Sequence, residues 1–357
     1  MSNHHTTYNV NHPFETESGY VFSNSKIAYK TWGKLNHNCD NAVVIFHALT
    51  GNAAADDWFH GLFSSTEVID PARHFIICIN TLGSCYGTTG PTSINPKTGE
   101  RYRGDFPPIT IRDIVRHQQI LLDALDIRGI EFVIGPSMGG MQALEFCIMD
   151  TRARAAILVG MSKAHSAWAI GISHAQRNAI MNDPNWNNGY YSDEQQPEGG
   201  LATARMMAML SYRSFDQYQD RFGRSKQPGT DQFQVESYLE YQGKKLTKRF
   251  DAWSYIRLTE AMDSHDIARG PDRSDYADIL SQITIPVLLT GISSDNLYPP
   301  AEQKELAQLL PNSYYQELDS PYGHDAFLIE FRTMNHLFSD FLENQYSPKK
   351  SISENIT

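Results

Sequence analysis

Five short apolar runs constrain this chain more than anything else in it: NAVVIFHAL (41–49), HFIICIN (74–80), EFVIG (131–135), AAILVG (155–160) and IPVLLTG (285–291). They are apolar almost throughout and do not alternate with polar residues. A strand with one wet face alternates, so runs of this kind predict strands covered by helices on both faces, as in a mostly parallel sheet. Helical patterns separate the runs. TIRDIVRHQQILLDALDI (110–127) sets Ile111, Ile114, Val115, Gln118, Leu121, Leu122 and Leu125 along one stripe, which predicts an amphipathic helix packed on that sheet. PPAEQKELAQLL (299–310) opens with proline, where the missing N–H is harmless. Strand and helix in alternation predict a doubly wound α/β domain.

The pattern breaks once. Between about 162 and 275 the strand runs stop and aromatics, Met, Gln, Asn and Asp take over, with helix-like stretches such as GLATARMMAMLSY and SYLEYQGKKL. We read residues 1–161 and 276–357 as the α/β core and 162–275 as an inserted helical cap. DPNWNNGYYSDEQQPEGG within it reads as a loop, the His4-His5 region as a mobile tail, and NQYSPKKSISENIT as a frayed end.

Charge and cysteines narrow the function. Thirty Lys and Arg face 41 Asp and Glu, a formal charge of −11, which argues against a nucleic-acid surface binder. No cationic flank leads into an apolar run and no stretch of about 18 apolar residues occurs, so neither a secretory signal nor a spanning helix is expected and the cytoplasm is the default location. Cys39, Cys78, Cys85 and Cys147 are scattered without C-x-x-C spacing, and the 13 His form no H-E-x-x-H motif; free thiols and no metal site are expected.

Gly135-Pro136-Ser137-Met138-Gly139 is a G-x-S-x-G pentapeptide between the run EFVI and the helix-like GMQALEFCIM. Strand, sharp turn and helix around a serine form the setting of a nucleophile elbow, with Oγ raised at a helix N-terminus whose N–H groups can stabilise an oxyanion. A serine hydroxyl needs a base, so the α/β-hydrolase fold implied here requires an acid and then a histidine, each after a strand. Asp295 follows IPVLLTGISS, and His324 follows the strand-like YYQEL. The oxyanion donors are then the N–H groups of Met138 and of Leu49, the latter in IFHALTG, which supplies the turn after an early strand; His47 reads as a turn residue. Asp263, His265 and Asp266 compete on paper, but they lie at the edge of the cap and read as structural or hinge residues.

Several further segments resemble the homoserine O-acetyltransferase family of the α/β-hydrolase superfamily: HALTG (47–51), NTLGSCYGTTGPTSINPKTG (80–99), DFPPITIRDIVRHQ (105–118), GPSMGGMQALE (135–145), ARMMAMLSYRS with RFGR (204–224), SYLEYQGKKLTKRFDAWSYI (237–256), SSDNLYPPAEQ (293–303) and GHDAF (323–327). The resemblance implies ping-pong transfer of an acetyl group from acetyl-CoA through Ser137 to the hydroxyl of L-homoserine in methionine biosynthesis, with no cofactor. It also implies a homodimer joined through the caps. Matching family motifs place Arg205 and Tyr212 at the acceptor carboxylate and Asp325 at its ammonium.

On spacing alone, Arg205 and Tyr212 are seven apart, two helical turns on one face, which fits a shared cleft but fits a surface Arg and a packed Tyr equally. The elbow here reads Gly-Pro-Ser where many relatives have Gly-Gly-Ser, and PDRSDY follows HDIARG where basic or glycine-rich residues are expected. L-serine as acceptor and succinyl-CoA as donor therefore stay open, as does simple ester hydrolysis, and a non-catalytic binding protein of the same fold is the reading furthest from the residues.

Overall fold

The computed structural model describes residues 5–270 and 275–344. The apolar runs become the centre of an eight-stranded sheet. In chain order the strands are β1 (Thr6–Val10), β2 (Phe14–Glu15), β3 (Val21–Phe22), β4 (Ser25–Trp32), β5 (Ala42–Ile45), β6 (Phe75–Ile79), β7 (Ile130–Pro136), β8 (Ala156–Val159), β9 (Val287–Ile292) and β10 (Ser313–Leu318). Spatial order is β1-β4-β6-β5-β7-β8-β9-β10, with β2 and β3 forming a separate hairpin. All pairings from β6 to β10 are parallel, while β1 and β4 add an antiparallel edge.

The reason for the unbroken hydrophobicity is visible in how neighbours divide. Val43, Ile45, Ile76, Cys78, Phe132, Ile134, Ile157 and Val159 belong to one buried cluster, and Ala42, Val44, Ile77, Ile79, Val133, Ala156 and Leu158 to the other. Successive side chains thus point to opposite faces, both of them covered.

The helices are α1 (Ala55–Trp58), α2 (Ile111–Ala124), α3 (Met138–Met149), α4 (Ala167–Met181), α5 (Glu198–Tyr212), α6 (Phe215–Phe222), α7 (Gln234–Thr247), α8 (Ala252–Asp263), α9 (Tyr276–Leu280), α10 (Pro300–Leu309) and α11 (Phe331–Asn344). Helix α2 starts at a capping box: the Asp113 N–H donates to the Thr110 hydroxyl at 3.1 Å and the Thr110 N–H to the Asp113 carboxylate at 3.1 Å. Its predicted stripe is buried from Ile111 to Leu122, with His117 beside it, while Leu125 is half-buried and caps the helix end. Helices α4 to α9 fill the chain between β8 and β9, where the strand runs stop. Asn187 and Asn188 take left-handed φ within the turn-rich 184–189 segment.

One element has no counterpart in the sequence reading: directly after the His4-His5 pair, β1 pairs antiparallel with β4 from Thr6↔Tyr29 to Val10↔Ser25. These strands carry Thr, Tyr, Asn and Lys, and many of their residues are exposed or half-buried, so they lack the continuous apolar signal that betrayed the centre. The proposed C-terminal fraying, His4, and residues 271–274 of PDRSDY lie outside the described residues.

Candidate functional site

The order of strands creates the site. Strand β6 lies on one side of β5 and β7 on the other, so the chain switches direction there and opens a crevice at the carboxyl ends, where sheets of this kind bind ligands. The loop after β5 and the turn after β7 meet in it. A Cβ on Gly139 would fall 2.1 Å from the Phe46 carbonyl oxygen, and one on Gly135 2.1 Å from that of Gly139; only glycine permits either approach.

Ser137 sits between β7 and α3 with φ 57° and ψ −128°, a conformation that a side chain rarely adopts and that tightly packed functional turns retain. Its N–H donates to the Val159 carbonyl at 2.9 Å, tying it to the end of β8. The next residue, Gly160, has φ 53°, and a Cβ there would lie 3.4 Å from Cε1 of His324 and 3.5 Å from Oδ2 of Asp295. Serine, acid and histidine are thus gathered around the ends of β7, β8 and β9.

His324 donates from Nδ1 to Asp295 Oδ2 at 2.7 Å. The other carboxylate oxygen accepts the N–H groups of Leu297 at 2.8 Å and Tyr298 at 2.9 Å. Asp295 is therefore held at both oxygens, and with Nδ1 occupied the lone pair of His324 lies on Nε2. That nitrogen is buried and has no hydrogen-bond partner among the described residues. The imidazole is boxed by Tyr298, Phe327 and Tyr212, with ring centres 5.2, 5.4 and 5.6 Å away.

Leu49, in the loop after β5, and Met138, beside Ser137, are both buried. Met138 is the first residue of α3, so its N–H has no intrahelical acceptor. The loop carrying Leu49 is pinned by His47, whose Nδ1 donates to the Ala48 carbonyl at 2.9 Å while Nε2 accepts the Thr81 N–H at 3.2 Å. Burial pushes His47 down to about 4, so it stays neutral. Gln142 donates from Nε2 to the carbonyls of His47 and Met138, each at 3.2 Å, and accepts the Gln118 amide at 3.0 Å. Gln118, polar in the apolar stripe of α2, is explained by this bond.

On α5 the Arg205 guanidinium lies 5.4 Å from the Tyr212 ring centre, as their spacing predicts, and no carboxylate pairs with it among the described residues. Asp325 follows His324 directly, with Oδ2 3.0 Å from Nε of Arg213; that cation sequence reading missed. It also missed Tyr298, which packs on His324 and hydrogen-bonds His165 Nε2 at 3.0 Å, and Glu302, pushed up to about 7 by burial and by Asp295. The NLYPPAE run carries no pattern that would reveal either.

Asp263, His265 and Asp266 stitch the start of the helical excursion to its end. Asp263 pairs with His165 Nδ1 at 3.1 Å and with Arg177, His265 Nε2 donates to the Ser162 carbonyl at 3.1 Å, and Asp266 bridges Ala164. Burial pushes the Cys85 and Cys147 thiols up to about 12, away from the reactive thiolate form. Among the described residues no three His, Cys, Asp or Glu side chains gather as metal ligands, and no helix is long and apolar enough to cross a membrane.

Comparison with known proteins agrees with this geometry. The family model for the alpha/beta hydrolase fold matches residues 41–331, which gives the class. A homoserine O-acetyltransferase of Chlorobium chlorochromatii is 54% identical over 338 residues, 94% of each chain. The chain belongs to the homoserine O-acetyltransferase family of the α/β-hydrolase superfamily. Among solved structures, the homoserine O-acetyltransferase of Bacillus anthracis superimposes with a TM-score of 0.87 at 26% identity, covering 95% of this chain and 97% of that one. Esterase E22 gives the same TM-score at 27% identity, covering 95% and 99%.

Proposed function

We propose that this enzyme transfers the acetyl group of acetyl-CoA to the hydroxyl of L-homoserine, a step of methionine biosynthesis, in two half-reactions at Ser137. His324 Nε2 takes the Ser137 proton as Oγ attacks the thioester carbonyl. Collapse of the tetrahedral adduct expels the CoA thiolate, which receives that proton from the imidazolium, and leaves acetyl-Ser137. The homoserine hydroxyl then attacks, losing its proton to Nε2, and the serine leaves with the proton returned. Asp295 keeps the imidazole in the required tautomer through both halves, and the Leu49 and Met138 N–H groups face both oxyanions.

Esterase E22 has the same fold match, so fold does not separate acyl transfer from hydrolysis. The observation that carries transfer to an amino acid is Arg205, a cation without a carboxylate partner among the described residues, set against Tyr212, whose ring packs on His324. Such a guanidinium suits the acceptor carboxylate, with Asp325 at the ammonium and Arg213 orienting it. A simple esterase has no use for this pair. Exposed Leu210, Phe215 and Tyr241 on the excursion helices support a homodimer joined through this region, the cap.

Serine is one methylene shorter than homoserine, a difference of only about 1–3 kcal/mol in a pocket, so the test compares acceptors directly. Thiol release is followed with acetyl-CoA or succinyl-CoA and homoserine, serine or water. Acetyl-CoA with homoserine should give the highest kcat/KM and yield O-acetylhomoserine. Equal release with water alone would make the protein an esterase.

A further inference from the structure

One feature of the sequence lies outside the chemistry above: Lys244, Lys245, Lys248 and Arg249 place four cations in six residues of a chain with net charge −11. Cations in the last turn of α7 are ordinary, since they offset the helix dipole. Arg249 lies beyond that turn and does something else. It reaches to the loop after β5, donating from Nη1 to the Thr50 carbonyl and to the Tyr86 hydroxyl, each at 2.7 Å. Thr50 is next to Leu49, so this guanidinium sits beside the oxyanion loop. None of the four cations has a carboxylate partner among the described residues.

Lys248 and Arg249 form one wall of an open cleft of about 410 Å³; Thr92, Arg101 and Arg103 from the segment after β6 form the other. Asp251 pairs with Arg103 at 2.9 Å, and Asp193 pairs with both Arg101 and Arg103. These two carboxylates offset two arginines, and the charge of Lys248 and Arg249 remains. The cleft wall also includes Cys85 and Thr92, from the long GSCYGTTGPTS stretch that has no part in the acyl chemistry.

We propose that this cleft binds the phosphates of the acyl-CoA donor, with Lys248 and Arg249 as the cations that meet them. The inference rests on the acyl-CoA reading above and names where the donor's far end lies. An acidic protein repels a polyanion over most of its surface, so an unneutralised cationic cleft beside the oxyanion loop draws the donor in with its thioester toward Ser137. Because the cations are exposed, the attraction weakens with salt.

Equilibrium titration of the wild-type protein with CoA, 3′-dephospho-CoA and pantetheine, at two salt concentrations, tests this independently of turnover. CoA should bind more tightly than pantetheine, and the gap should narrow at high salt. Lys248→Gln should weaken CoA by roughly three- to fivefold, the range for an exposed charged contact, and Lys248→Glu by more, with little change for pantetheine. Equal affinities for CoA and pantetheine, or a Lys248→Glu variant that keeps the wild-type ratio, would overturn the assignment. If the phosphate dependence holds and homoserine is nevertheless not acetylated, the site stands and the proposed reaction fails.

Discussion

Replacing Gln142 by leucine tests whether the loop bearing Leu49 is held in place by the buried amide chain. The substitution keeps side-chain size and removes three hydrogen bonds. The Met138 carbonyl retains its helical partner. The His47 carbonyl and the Gln118 amide lose theirs, and both residues are fully buried. Each buried polar group left unpaired costs about 1–3 kcal/mol, so Gln142→Leu should lose about 2–6 kcal/mol of stability. The Gln118→Leu/Gln142→Leu double variant removes the stranded amide and should recover about 1–3 kcal/mol of that loss. Only the carbonyl end touches the site, so turnover should not recover with it: a displaced oxyanion donor lowers kcat by up to about 10²–10³, in both variants alike. Urea unfolding midpoints at constant m give the first quantity and steady-state thiol release the second. A single variant within 1 kcal/mol of wild type, or a double variant no more stable than the single, would refute the network.

Three further outcomes follow from the same geometry. Ser137→Ala should lower turnover by about 10⁴ or more with the fold intact, and mass spectrometry of the wild type with acetyl-CoA alone should place an acetyl group on Ser137; an adduct on Cys85 or Cys147 instead would contradict the mechanism. Arg205→Lys keeps charge but loses the planar fork, so the burst of CoA release should survive while turnover with homoserine drops about 10- to 1000-fold; loss of the burst would move Arg205 out of the acceptor pocket. Acid should unfold the protein early. Burial holds His47 and His74 near 4 and His117 and His265 near 3, so as pH falls below the unfolded value of about 6.5 the unfolded chain takes up four protons that the fold refuses. Glu302, raised to about 7, binds one proton in the fold first and opposes them, leaving about three. The slope is then about 4 kcal/mol per pH unit near pH 5, enough to exhaust a typical margin of about 5–15 kcal/mol by roughly pH 4. An unfolding free energy that is level between pH 6.5 and 4.5 would disprove it.

Much of this protein is written locally. The central strands announce themselves because both faces are buried, so almost every position in them is apolar; the antiparallel strands β1 and β4, with several residues exposed or half-buried, use polar residues and leave no such trace. Ser137 is equally plain, since a sharp turn at that φ needs glycines in fixed places around it, and the order serine, acid, histidine follows from each lying beyond a strand. What sequence could not supply is everything that depends on which distant segments touch. Gln118 is a polar member of the α2 stripe whose partner only α3 supplies, by setting Gln142 against it. Asp325 gained Arg213, and His324 its packing against Tyr298, only when the helical excursion and the loop after β9 folded over the strand ends. The apolar period of a strand or helix is a property of neighbours in the chain, and so the sequence determined which segments form the sheet and where the serine turns. Hydrogen bonds and charges around the crevice join residues far apart in the chain, 199 positions for Arg249 and Thr50, with no period to reveal them; only the tertiary structure decided those pairings.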